Sequence, residues 1–139
     1  MRNGISRLWG FHRDVRAVTT LLREVVRRVV QAADPDEIIL FGSTVRGQLR
    51  RDSDFDLLVV KSGVDDREQL KRQIQINFFG LPIPIDVIVV TPEDLKAARR
   101  KQWTFLYRAM SGGRRIYSRA QKSQVSRMRP TPIGSPQAP

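Results

Sequence analysis

Cysteine is absent from the 139-residue chain and histidine occurs once, at His12. These gaps exclude disulfides, thiolate metal sites and histidine clusters, so any metal must be held by oxygen, which favours magnesium, manganese or calcium. No apolar run reaches the ~18 residues that a helix needs to cross a bilayer, so no membrane association is expected. The first residues, MRNGISRLWGFHRDVRAV, carry charge but no secretory-type apolar stretch, so no signal peptide is expected and the protein is placed in the cytoplasm. Aromatic residues make up only 7% of the chain and form no aromatic-rich basic groove of the kind that grips single strands. Acid is also scarce beside base, with 14 acidic against 25 basic residues and a formal net charge of +11. That excess reads as attraction to nucleic acid or another polyanion, or as the arginine-rich habit of a whole proteome.

What is present suits one domain with length enough for a core. Val15, Val18, Leu21, Leu22, Val25, Val26, Val29 and Val30 recur at helical spacing between arginines, which predicts an amphipathic helix over 14–33 closed by Asp34-Pro35. The run 38–41 predicts a buried strand ending at Gly42, and a brief helical turn is expected from Ser43 to Gly47. Residues 54–60 predict a second strand, 65–79 a helix ended by Gly80, and 85–90 a third strand behind Pro82 and Pro84. Thr91-Pro92-Glu93-Asp94 reads as a helix start, with the helix expected to run to about Met110 and a short edge strand at 115–117. From Arg119 onward the sequence has four prolines and no acids, which predicts a disordered basic tail. The organisation expected is an N-terminal extension over 1–13, an α/β domain with helices packed on a small central sheet over 14–118, and the tail over 119–139.

The stretch GSTVRGQLRRDSDFD concentrates the chemistry. Residues two apart in a strand share a face, so Asp54 and Asp56 point together while Phe55 and Leu57 turn into the opposite layer. Alone, such a pair reads first as solvated strand-end acids or caps of the next turn, and only a third acid tips the reading toward metal ligands. Asp86 leads a third, otherwise apolar strand, and if the two strands are neighbours three carboxylates converge. Two unit charges about 4 Å apart repel by about 4 kcal/mol at an effective dielectric near 20, so the cluster calls for divalent cations. Gly42-Ser43 stands where a buried strand meets a helical turn. By itself it is an ordinary N-cap, but beside the acids it becomes a place where backbone N–H groups and a hydroxyl meet phosphate. Arg46 either touches a phosphate or braces the loop.

Phe41-Gly42-Ser43-Thr44-Val45-Arg46-Gly47, then Ser53-Asp54-Phe55-Asp56-Leu57, then Asp86-Val87-Ile88-Val89, resembles the minimal nucleotidyltransferases of the DNA polymerase β superfamily. Val45 stands where that family usually has alanine. The resemblance implies a mixed sheet and transfer of a nucleoside monophosphate, expected to be AMP from ATP, with two magnesium ions held by Asp54, Asp56 and Asp86. It implies that Gly42 and Ser43 hold the β and γ phosphates. No further domain is expected to choose the acceptor, so choice falls to a partner or to the exposed surface. Small proteins similar to this one serve as antitoxins that add AMP to a tyrosine of a HEPN-type toxin, and that is the partner the resemblance implies. Two other readings stand beside it. One is a binding antitoxin that neutralises its partner by occlusion; the other is a nucleotidyltransferase acting on nucleic acid.

Overall fold

The computed structural model describes residues 15–42, 55–120 and 122–123. Helix α1 (Val15–Ala33) buries Leu22, Val25, Val26 and Val29 while Arg23 and Arg27 between them stay exposed. It stops where Asp34 turns left-handed, φ 46°, with its amide still donating to the Val30 carbonyl at 2.9 Å. Aspartate is among the few residues that tolerate this conformation, and Pro35 behind it cannot continue a helix.

Strands β1 (Glu37–Phe41), β2 (Phe55–Val60), β3 (Ile85–Val90), β4 (Arg114–Ser118) and β5 (Lys122–Ser123) form one sheet in the order β3-β2-β1-β4-β5. Strand β1 runs antiparallel to both β2 and β4, whereas β2 and β3 are parallel. Helix α2 (Arg67–Ile76) makes the crossover that a parallel pair requires. The sheet is therefore the expected mixed one. Alternation along each strand sorts two cores. Leu40, Leu57 and Val87 pack with α1 and with Ile74 of α2; Ile39, Leu58 and Val90 pack with helices α3 (Pro92–Arg100) and α4 (Phe105–Gly112). Both faces of the central strands are covered, which is why they read as unbroken apolar runs.

Several elements depart from the sequence reading. The helix expected from 92 to 110 is two helices, because Thr104 serves both. Its hydroxyl donates to the Lys101 carbonyl at 2.8 Å and accepts the Tyr107 amide at 3.2 Å, closing α3 and capping α4. Helix α2 is shorter than 65–79: the Asp66 carboxylate caps it by accepting the Gln69 amide at 3.0 Å, and beyond Ile76 the chain winds through tight turns to Gly80. Strand β4 is interior and not an edge, since β5 pairs along its outer side. Arg119 and Lys122–Ser123 accordingly belong to the fold and not to a tail. Arg119 donates to the Asp36 carboxylate and to the Asp34 carbonyl, both at 2.5 Å. Burial pushes the Asp36 carboxyl up, but the Ser62 hydroxyl and amide and the Arg119 guanidinium outweigh it and hold it below its ordinary value. The N-terminal extension, the turn over 43–47 and residues 124–139 lie outside the described residues.

Gly113 sits where α4 hands over to β4. A Cβ built there would lie 2.5 Å from the Ala109 carbonyl oxygen and 2.9 Å from that of Leu40, so only glycine lets the helix end this close to β1.

Candidate active site

Because β1 opposes β2 and β3, it ends on the side of the sheet where they begin. Phe41 pairs with Asp56 across the antiparallel ladder, and Asp56 pairs with Asp86 across the parallel one. One rung thus crosses three strands as Phe41, Asp56 and Asp86. All three lie on the face covered by α3 and α4, since Leu58 and Ile88, two residues further along, belong to that core. The Phe55 amide donates to the Pro84 carbonyl at 3.2 Å, starting the β2–β3 ladder just before the two acids. Apolar rungs continue from Leu57–Val87 to Val60–Val90, and they hold the register.

Neighbouring strands run ~4.8 Å apart. Two ionised carboxylates on one rung, roughly 5 Å apart, repel by roughly 3 kcal/mol at an effective dielectric near 20. A divalent cation between them reverses that sign. Asp56 is half-buried and Asp86 exposed, so a ligand approaching from solvent reaches both. The donor set is hard oxygen only, and few protein carboxylates completed by phosphate oxygens is the environment magnesium takes; the residues present fit it. Among the described residues no group of three acidic, histidine or cysteine side chains gathers. Asp54, the third acid expected, lies outside the described residues, as do Ser43 and Arg46.

Gly42 follows the rung at the exit of β1 with φ 89°, a backbone that disfavours any side chain. A Cβ on it would stand 2.5 Å from Asp56 Oδ2 and 3.4 Å from the carboxyl carbon. The glycine therefore lies directly against the carboxylate as well as turning the chain, a contact that spacing along the sequence does not reveal. A second feature also escaped the sequence reading: Phe105, at the start of α4, meets Phe41 edge to face. Trp103 is exposed.

The chain matches the family model described as a Nucleotidyltransferase domain over residues 21–110. It is 35% identical over 89 residues to the "Putative protein adenylyltransferase" of Methanocaldococcus jannaschii, a match spanning 59% of this chain and 60% of that relative's length. In three dimensions it is similar to the crystal structure of a "putative nucleotidyltransferase" from Sulfolobus solfataricus, with TM-score 0.57 and 19% identity over 83% of this chain and 92% of that one. At that identity the likeness speaks for the fold alone. The matched span takes in β1, Gly42 and both acids, and on that footing the chain belongs to the nucleotidyltransferase domain family.

Proposed function

We propose that the protein is a cytoplasmic, magnesium-dependent nucleotidyltransferase that moves AMP from ATP to a tyrosine hydroxyl of a partner protein, a HEPN-type toxin, which it thereby silences as an antitoxin. The observation that carries this reading is the rung itself: Asp56 and Asp86 in register on parallel strands, with Gly42 against the Asp56 carboxylate. A protein acceptor is supported by the printed name of the archaeal relative. The toxin partner and the antitoxin role rest on the resemblance to small stand-alone nucleotidyltransferases.

In this scheme Asp54, Asp56 and Asp86 would hold two magnesium ions, which would supply positive charge to the attacking and leaving oxygens together. Gly42 lets the triphosphate approach the backbone, and the Ser43 hydroxyl donates to the departing phosphates. Arg46 braces the turn. The tyrosine hydroxyl gives up its proton to solvent, its oxygen bonds to the α phosphorus, the bond from that phosphorus to the bridging oxygen breaks, and pyrophosphate leaves. Asp86 stands on the edge strand, so an acceptor coming from outside the sheet meets it first.

The test is incubation with ATP labelled at the α phosphate and the co-purifying partner. Label should move to the partner with the wild type and not with Asp56→Asn. No transfer from the wild type refutes catalysis. Neutralisation of the partner that survives both Asp56→Asn and Asp86→Asn makes occlusion its mechanism. The net charge of +11 favours one further acceptor class, RNA. Label on RNA instead of protein, with binding that weakens steeply in salt, selects that reading.

A further inference from the structure

Phe41, the member of the rung on β1, is half of an aromatic pair that the transfer scheme leaves unused. Its ring meets Phe105 with centroids 5.8 Å apart and planes inclined by 77°. Phe105 is 54% exposed, and an edge-on neighbour covers at most one face of a ring. The helix that carries the ring is anchored at both ends of its first turn. Thr104 caps the helix it opens, and Ala109, one turn further, is buried in the core that β1 shares with α4. Arg108 follows on the same side of the helix, exposed and paired with no acid among the described residues.

Order across the sheet assigns sides to the two substrates. Asp86 lies on the edge strand, Asp56 next to it, and Gly42 and Phe41 on β1, with Phe105 against Phe41. With the β and γ phosphates at Gly42 and the acceptor entering from β3, the α phosphate and its nucleoside lie over the rung, whose β1 end carries the aromatic pair. An open aromatic face with the Arg108 cation one turn along the same helix suits a flat, electron-rich heterocycle joined to an anion, which is the chemistry of a nucleotide.

We infer that Phe105 is the stacking platform for the base of the donor nucleotide, backed by Phe41 and flanked by the Arg108 charge. This rests on the nucleotidyltransferase reading and adds to it the subsite that holds the nucleoside. Because every base has a π face, the platform grips any of them and contributes affinity without choosing adenine.

The test is calorimetric binding of two probes, magnesium-ATP and inorganic tripolyphosphate, to the wild type, Phe105→Ala and Phe105→Tyr. Phe105→Ala should weaken ATP by roughly 5- to 150-fold, the range for loss of one base–aromatic stack. Tripolyphosphate affinity should not change, and Phe105→Tyr should restore ATP binding. Equal ATP affinity in Phe105→Ala and wild type overturns the platform alone, and so does an Ala variant that still binds ATP but no longer captures the partner protein. Equal loss of both probes, with a lowered melting temperature, makes the ring a brace for the fold and also overturns it. A wild type that binds neither probe overturns the platform and the transferase reading together.

Discussion

Gly42→Ala separates the conformational role of this glycine from its role beside Asp56. Holding a residue with a Cβ in a left-handed backbone costs about 1–2 kcal/mol. The new Cβ would also stand 2.5 Å from Asp56 Oδ2 where ordinary contact begins at 3.4 Å, so the carboxylate oxygen must retreat by 3.4 − 2.5 = 0.9 Å. Since a side-chain oxygen can swing aside, this second cost falls on position more than on stability. Gly80 is the matched control: its φ is also 89°, yet a Cβ there meets nothing within 4 Å. Both alanine variants should melt about 4–8 °C lower, at about 4 °C per kcal/mol for a domain of this size. Only Gly42→Ala should lose transfer of α-labelled AMP, by about 100-fold, the scale on which a displacement near 1 Å acts. Equal activity in the two variants would refute the claim that the Asp56 carboxylate must sit where Gly42 lets it.

Asp86→Asn should abolish transfer in the label assay while leaving the melting temperature unchanged or slightly raised, because it removes a repulsion across the rung; a large fall in stability would make Asp86 a structural residue. Gly113→Ala should destabilise by about 1–3 kcal/mol in urea titration, the range for overpacking a close contact, since its Cβ meets backbone oxygens that have nowhere to go. Acid should loosen the fold in a definite window. Asp36 and Asp94 are held below the ordinary carboxyl value, and Arg27 and Arg28 lower Glu24 to about 2. These groups therefore favour folding fully above the unfolded carboxyl range near pH 4, and the contribution drains as pH falls through their folded values. Melting scans from pH 6 to pH 2 should show the decline beginning near pH 4, with a shallower slope in Asp36→Asn.

The helices and strands with regular apolar spacing were legible in the sequence, because alternation and three-four repeats report directly on which side faces a core. Valine at 25, 26 and 29 is enough to draw α1, and the runs 55–60 and 85–90 give β2 and β3. What escaped depends on one side chain serving two neighbours. Thr104 looks like any helical threonine until its hydroxyl is seen to close one helix and open the next. Arg119 looks like the head of a basic tail until Asp34 and Asp36 are seen beside it. Within the candidate site, Asp56 and Asp86 were visible as acids heading apolar strands. Their sharing of a rung was not, because pairing depends on how the α2 crossover returns the chain. Phe105 left no sequence signal at all, since a lone phenylalanine on a helix is ordinarily core.

Side chains alternate along a strand, so sliding β3 by one residue against β2 would turn Asp86 through the sheet toward α2 and expose Val87 in its place. Reactivity and folding are thereby wagered on the same alignment: the valines and isoleucines that grip β2 also aim the acid. An inserted residue beside Gly80, where a built Cβ meets nothing within 4 Å, has room to bulge outward, whereas one inside IDVIVV would misdirect the chemistry while leaving a respectable hydrophobic strand behind. Evolution can therefore retune this protein's periphery cheaply, but it cannot shift the third strand's phase without taking Asp86 off the rung.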